Sequence, residues 1–326
     1  MRSINTLKVH NEDFKASGLR KMRKVSSAVF SVFRILLLLA LSYVIMYPLF
    51  MMISGSFMTV QAFRDPSILW IPKYPTLHNY KMAYEVTNFW KALSSTFSLQ
   101  IVSAAIEVIT CSVTAYGLAR FEFKLKKPLM IMLLLLVFLP TQMIIIPQMM
   151  NFSKLDFFGI LGLIGKAVGK ELRPSILDTN WTFWLPSIFA VGLRSGMMIF
   201  IYYQFFKGLP KELEEAASID GSGPLRTYIK IALPSSGVVI LTVSVLSVVW
   251  HWNDYYLAVM YTSENHPLSV AIANLRQQLQ TVGIWELEGG IVTYAGALLY
   301  IAPLLIAYMC VQHKFVKSID RVGITG

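Results

Sequence analysis

The chain has 326 residues, of which 55% are hydrophobic and 14% are charged. Soluble domains typically hold about 45–50% apolar and about 25% charged residues, so this composition excludes an ordinary soluble domain. The formal net charge of +11 would suit nucleic acid, but Lys and Arg concentrate between long apolar stretches, which favours a membrane protein instead.

Six long stretches contain almost no charge, and each holds roughly 20 mostly apolar residues, enough to cross a bilayer as a helix. In lipid every backbone N–H and C=O group must be paired within the protein, so helices are the expected form. The six stretches are 35–57, 97–118, 129–150, 183–206, 236–256 and 291–311. The sequence therefore predicts an all-α integral membrane protein with six transmembrane helices.

The distribution of basic residues predicts that both termini are cytoplasmic. With the N-terminus inside, the cytoplasmic segments hold 19 Lys and Arg residues, whereas the longer external loops hold 9. This is the positive-inside bias, and an even number of spans returns the C-terminus to the same side. The predicted organisation is a cytoplasmic tail (1–30), a first helix with its external loop (31–95), a core (96–312) and a second cytoplasmic tail (313–326).

The loop at 208–234, between the fourth and fifth predicted spans, is a short polar segment between apolar ones. Pro210 is tolerated in the first turn of a helix, and the glutamates that follow suit the positive end of its dipole. Gly221 is predicted to end this helix in the left-handed conformation that glycine adopts without strain. Gly223 and Pro224 then begin a second short helix, so the loop is predicted to form a helix–turn–helix elbow that Pro234 ends.

A longer pattern makes this loop specific. The string Glu215-Ala216-Ala217, then Gly221, then Ile231-x-Leu233-Pro234, resembles the Glu-Ala-Ala motif in permease subunits of ATP-binding-cassette importers. Three further stretches resemble the carbohydrate branch, which includes the second membrane subunit of maltose-type transporters: Pro72–Tyr80, Ala115–Phe121 and Trp252-Asn253-Asp254. The resemblance covers about residues 70–320 and departs from the family at an insertion around 162–180.

The resemblance implies a type I importer permease with the MetI-like fold. Two permease subunits would form the path, an ATPase dimer would bind ATP and Mg, and an extracytoplasmic solute-binding protein would deliver the solute. The residues implied to contact the ATPase are Glu214, Glu215, Ala216, Ala217, Asp220, Gly221, Leu233 and Pro234. The chain lacks a phosphate-binding loop of its own, so we expect no catalytic residues and no cofactor in it. The histidines and cysteines have no metal-ligand spacing, so no metal site is expected.

Two further sets of side chains are candidate functional residues. Glu107, Trp252, Asn253 and Asp254 are candidates for the substrate path, and Asn274 and Gln277 for contact with the binding protein. An ionisable residue within a span, such as Glu107, is a functional candidate by default, although a structural bond to a neighbouring helix is equally compatible. Trp252 and its neighbours also suit an ordinary membrane interface, with Asp254 as a structural cap.

The fourth predicted span holds a second ionisable residue, Arg194, together with Pro186, Gly192 and Gly196. These residues predict a break near the outer end of that span. Arg194 lies within the broken part, where it could face a cavity or serve as an interfacial or structural residue.

The prediction is a multi-pass permease subunit of a carbohydrate importer in the bacterial cytoplasmic membrane, with membrane lipid and a carbohydrate as further partners and no nucleic acid. One alternative is an importer of another solute, such as a glycerol phosphodiester. Another is an ion-coupled secondary transporter, which would require charged relays in several spans and usually inverted repeats.

Overall fold

The structure is a computed structural model that describes the backbone of residues 2–68, 70–156 and 159–323. Within these residues all regular elements are helical, and two of them are short π-helical segments, π1 and π2. In chain order they are α1 (Arg2–Ser56), α2 (Val60–Arg64), α3 (His78–Val86), α4 (Phe89–Ser95), π1 (Thr96–Ile101), α5 (Val102–Arg120), α6 (Lys126–Phe138), α7 (Thr141–Ser153), α8 (Ile160–Val168), α9 (Trp181–Ile188), α10 (Ser195–Gly208), α11 (Glu212–Ile219), α12 (Pro224–Thr227), π2 (Tyr228–Ala232), α13 (Leu233–Ser235), α14 (Gly237–Trp252), α15 (Tyr256–Tyr261), α16 (Leu268–Ala273), α17 (Leu275–Thr281) and α18 (Glu286–Gly323).

The chain divides into two compact units, residues 1–76 and 77–326. The first unit is dominated by α1, whose segment Val29–Ser56 is long and apolar enough to cross a membrane. Most side chains in this segment are exposed apolar groups, as expected for a helix surrounded by lipid.

The second unit is built around α5, which packs against α9, α10 and α14. The largest core cluster joins α5 to α10 through fully buried side chains such as Met198, Tyr202 and Phe206. The same cluster includes Tyr228 of π2, so the second part of the 208–234 loop packs into this core. The second unit also contains α18, whose segment Leu287–His313 is a second candidate span.

Three helical segments in the described part of the chain pass a length and hydropathy test for crossing a membrane: Val29–Ser56, Phe89–Arg120 and Leu287–His313. Two bent helix pairs would raise this number to five if each pair is one span. The pair α6 and α7 bends by 108°. This bend lies at Leu139 and Pro140, both extended, because a residue that precedes proline disfavours the helical conformation.

The fourth predicted span, 183–206, is two helices rather than one. α9 ends at Ile188 and α10 begins at Ser195, and the break contains Ala190 and Arg194 with φ angles of 55° and 58°. The prediction of a break in this span is therefore confirmed. The left-handed backbone at two non-glycine residues requires support from the surrounding packing.

Candidate functional site

The first limb of the elbow is α11 (Glu212–Ile219), with three glutamates in its first turn. The turn directly after α11 contains Gly221, whose φ angle of 74° is left-handed. The Gly221 N–H donates to the Ser218 carbonyl at 3.0 Å, and the Ser222 N–H donates to the Ala217 carbonyl at 2.9 Å. This pair of bonds is the Schellman arrangement, so the predicted left-handed helix end is confirmed.

The second limb runs from Pro224 through π2 and α13, and α14 then leaves it at an angle of 80°. Pro224 begins the limb after Gly223, as predicted. Pro234 lies within α13 rather than ending it, and the limb ends at Ser235. Because proline cannot donate to the carbonyl four residues earlier, the widened π2 turn directly before α13 accommodates the ring.

The tip of the elbow exposes apolar side chains. Ile219 is 87% exposed, Leu225 68% and Ile229 52%. We refer to these three residues as the elbow tip. Exposed aliphatic side chains of this size in a polar loop are candidates for contact with a partner protein.

The implied ATPase contacts are distributed over different sides of the elbow. Most of them are exposed: Glu215, Ala216, Asp220, Gly221 and Pro234. Ala217 is buried and Leu233 packs against the α5–α10 core. Glu214 is half-buried, and its Oε1 atom lies 2.9 Å from Nε of Arg120 on α5.

A cavity of about 300 Å³ with a mixed polar and apolar lining lies where α6 meets α7 and where α9 is separated from α10. Its polar lining includes Gln142, Gln148, Arg194, His251, Asp254 and Tyr261. The Arg194 guanidinium also lies 5.1 Å from the centre of the Trp250 ring, a cation–π contact that holds the side chain.

Glu107 is fully buried behind this cavity and does not line it. Its Oε2 atom lies 3.3 Å from Nε2 of His251, and Nδ1 of His251 lies 2.9 Å from the Ser247 carbonyl oxygen. A Cβ atom on Gly192 would come within 2.9 Å of Oε1 of Glu107, so glycine leaves room for the carboxyl group. The geometry therefore places Glu107 in a helix-to-helix contact between α5 and α14.

Trp252, Asn253 and Asp254, at the end of α14, have different surroundings. Trp252 is buried in a cluster with Phe89 and Leu268, and Asn253 is exposed and accepts a hydrogen bond from the Tyr300 hydroxyl at 3.1 Å. Asp254 lines the cavity, but its Oδ1 atom accepts the Leu257 N–H at 3.2 Å. Asp254 therefore caps the first turn of α15, as the structural alternative predicts.

A smaller polar pocket of about 170 Å³ lies on the predicted external side. Asn274 lines it, but Gln277 is exposed outside it, and Gln278 lines the pocket instead. Oε1 of Gln278 is buried and has no hydrogen-bond partner among the described residues.

The insertion is fixed at both ends. Asp156 accepts the Leu161 and Gly162 N–H groups at 2.9 and 3.0 Å, so it caps α8. At the other end, the Asp178 carboxylate accepts hydrogen bonds from the Ser263 N–H and hydroxyl. Residue 178 is thereby attached to the loop between α15 and α16.

The acidic groups of the insertion differ in their surroundings. Partial burial opposes ionisation of Asp178, but the hydrogen bonds from Ser263 and Glu264 outweigh it and lower its pKa. The Asp178 attachment is therefore present at neutral pH and is lost only as the pH falls through this lowered pKa. Exposed Glu171 has its pKa lowered to about 2 by a hydrogen bond from Arg173.

We predict that Asp178→Ala loosens the end of the insertion. The substitution removes the acceptor of several hydrogen bonds, each worth about 1 kcal/mol, so amide hydrogen exchange at residues 172–180 should rise by about tenfold. Hydrogen exchange followed by mass spectrometry measures this rate. Glu171→Gln is the matched control, because its partner is two residues away on the surface, and equal exchange in both variants would contradict the attachment.

Sequence reasoning did not find His251, Gln142 or Gln148 as neighbours of the candidate path. His251 is 144 residues from Glu107, so only the packing of α5 against α14 brings them together. The sequence did contain a signal for them, because all three missed residues are polar and lie within predicted apolar spans.

The chain matches known transport proteins over most of its length. Residues 109–321 match the family model described as binding-protein-dependent transport system inner membrane component. The probable starch degradation products transport system permease protein AmyC of Thermoanaerobacterium thermosulfurigenes is 28% identical over 86% of this chain and 92% of its own length. The polygalacturonan/rhamnogalacturonan transport system permease protein YtcP of Bacillus subtilis (strain 168) is 26% identical over 86% and 93%.

Comparison with solved structures supports the same fold. A chain in the crystal structure of a bacterial ABC transporter involved in the import of the acidic polysaccharide alginate superposes with a TM-score of 0.66 and 18% identity. The match covers 89% of this chain and 98% of that one, which shows the MetI-like permease fold. Because the family model also covers more than half of the sequence, this chain belongs to the family of binding-protein-dependent transport system inner membrane components and is a multi-pass protein of the cytoplasmic membrane.

Proposed function

We propose that this chain is a permease subunit of a carbohydrate importer and forms half of the translocation path. Its relatives are named for transport of starch degradation products, galactooligosaccharides and melibiose, raffinose and stachyose. They align over most of their own lengths with this chain. The family match favours this function over an ion-coupled secondary transporter.

In this proposal the chain crosses the membrane six times and both termini are cytoplasmic. The spans are α1, α5 with the helices before it, the bent pair α6–α7, the broken pair α9–α10, α14 and α18. The positive-inside distribution of Lys and Arg supports this orientation. It places the elbow at 208–234 in the cytoplasm and α8 and α17 outside.

The elbow is proposed to seat on a separate ATPase subunit, which binds ATP and Mg and performs the hydrolysis. The observation that carries this step is the elbow tip, where Ile219, Leu225 and Ile229 are exposed beside an acidic helix. Glu215 and Ala216 lie exposed on the same limb and are free to contact a partner. The chain itself is proposed to have no enzymatic activity.

The proposed importer has two further partners, a second permease subunit and a solute-binding protein. A second permease subunit completes the path, and a solute-binding protein delivers the sugar to the external side, where Asn274 and Gln277 are candidate contacts. The cavity beside Arg194 and Asp254 is the proposed part of the path within this subunit.

Reconstitution of the complete complex tests the proposed function. ATP hydrolysis in proteoliposomes is measured with the binding protein and a panel of oligosaccharides, with a glycerol phosphodiester as a non-sugar control. We expect stimulation by a sugar-loaded binding protein. Stimulation only by the phosphodiester would identify a different solute class, and hydrolysis that no loaded binding protein changes would contradict the importer.

We predict that Ile219→Asp weakens attachment of the ATPase. A charge at a buried interface position costs several kcal/mol, so co-purification of the ATPase should fall by at least about tenfold. Leu163→Asp on α8 is the matched control, because Leu163 is also an exposed aliphatic residue but lies on the predicted external side. Equal ATPase recovery in the two variants would contradict docking at the elbow tip.

A further inference from the structure

Arg120, the last residue of α5, connects three parts of the molecule. Its side chain is only 6% exposed. Nε lies 2.9 Å from Oε1 of Glu214 on α11, and Nη2 donates to the Leu209 carbonyl at 2.8 Å. The Tyr116 hydroxyl, one turn earlier on α5, donates to the same Oε1 atom at 3.3 Å.

The geometry favours an arginine over a lysine. Nε of the planar guanidinium lies at ion-pair distance from the α11 carboxylate, without hydrogen-bond geometry, and Nη2 donates to the carbonyl that follows α10, so a single side chain contacts both elements. Lysine carries one compact charge and cannot reproduce both contacts. An ion pair that is largely withdrawn from water is stronger than an exposed one, so this contact resists separation of α11 from α5.

Glu214 differs from the other two glutamates of the same helix. Glu212 and Glu215 are exposed, whereas Glu214 is half-buried and directed at α5. Its carboxylate therefore binds within the chain, which distinguishes it from Glu215 although the two are adjacent.

The second limb is connected to the same helix. The Tyr228 hydroxyl donates to Oγ of Ser112 at 3.0 Å, and the rings of Tyr228 and Tyr116 have centroids 5.0 Å apart. Tyr116 also contacts Phe206 edge-on at 5.5 Å. Both limbs of the elbow are thus attached to the last three turns of α5, the helix around which the second unit is packed.

We propose that Arg120 and Glu214 form a latch that transmits displacement of the elbow to α5, so both are positioning residues for transport rather than ATPase contacts. This proposal rests on the proposed function and deepens it by naming the internal connection. When the ATPase moves α11, the latch makes α5 follow. Without it, only the short connection at residues 209–211 and the second limb attach α11 to the rest of the second unit.

The test compares Glu214→Gln and Arg120→Lys with the matched control Glu212→Gln, in the assembled complex in proteoliposomes. We expect full recovery of the ATPase and retained ATP hydrolysis in all three. Uptake per ATP hydrolysed should fall by about tenfold in the two latch variants and stay unchanged in the control. Loss of ATPase recovery in Glu214→Gln would overturn the proposal by making Glu214 a docking residue, and wild-type coupling in both latch variants would also overturn it.

Hydrogen exchange of α11 in the same complexes gives a readout that does not depend on transport. Each latch variant should raise exchange at residues 212–219, and the double variant should raise it by less than the sum of the two single effects, because both changes break the contact between Arg120 and Glu214. Additive effects, or no effect, would overturn the latch. If the wild-type complex shows no hydrolysis stimulated by a binding protein, the proposed function is overturned instead. The hydrogen-exchange data on α11 still test the latch in that case.

Discussion

Gly221→Val is expected to uncouple transport from ATP hydrolysis while the protein remains in the membrane. The left-handed conformation at this position, with φ at 74°, costs a non-glycine residue about 1–2 kcal/mol, and a β-branched side chain more. The Schellman bonds that join Gly221 and Ser222 to α11 would then open or shift. Because this turn sets the angle between the two limbs, the elbow tip would no longer match its partner.

Uptake of labelled sugar and ATP hydrolysis in the same vesicles measure this effect, and uptake should fall by at least about tenfold. Gly221→Asn is a graded control, because asparagine enters the left-handed region more readily than other residues and should retain most of the uptake. Gly283→Val is a positional control with a similar φ of 83° on the predicted external side. Normal uptake in Gly221→Val would contradict the role of the turn.

Glu107→Leu is expected to destabilise the core, because it leaves His251 facing an apolar side chain in a buried site. Removing one partner of a buried polar pair costs about 3 kcal/mol, whereas replacing both partners with apolar groups is often neutral. The double variant Glu107→Leu with His251→Leu should therefore recover most of the lost stability. Thermal unfolding in detergent, followed by size-exclusion chromatography, measures the three variants against the wild type.

Glu107→Gln keeps a polar group against His251 and removes the acidic one. An amide N–H can donate to Nε2 of His251, so this variant should be close to the wild type in stability. If Glu107→Leu unfolds at the wild-type temperature, or if the double variant is less stable than either single variant, the pair does not hold α5 against α14.

The local geometry of the elbow could be predicted from sequence, but its attachments could not. Gly221 and Pro224 restrict their own backbone, so the turn and the second helix are readable from neighbouring residues. Glu214 gave no such information, because its partner Arg120 is 94 residues away and only the packing of α5 against α10 brings them together. Sequence reasoning therefore grouped Glu214 with Glu215, although the structure directs the two side chains differently.

In the membrane-spanning part, one helix break could be predicted from the sequence and one bend was not. Pro186, Gly192 and Gly196 correctly predicted a broken fourth segment, because proline and glycine weaken a helix where they stand. The 108° bend between α6 and α7 was missed, although Pro140 was visible within the apolar run. Hydropathy indicates how long an apolar segment is but not whether the helix bends within it, so the sequence predicts a single span across 129–150.

Site-specific photo-crosslinking from position 219 in the assembled transporter tests the central claim most directly. A photoreactive residue in place of Ile219 should attach covalently to the ATPase subunit, and the same residue in place of Leu163 should not. Adducts between position 219 and the ATPase are the predicted result. Adducts from position 163 but not from 219, or attachment of position 219 to lipid or the external binding protein alone, would contradict a cytoplasmic elbow that couples this permease to its ATPase.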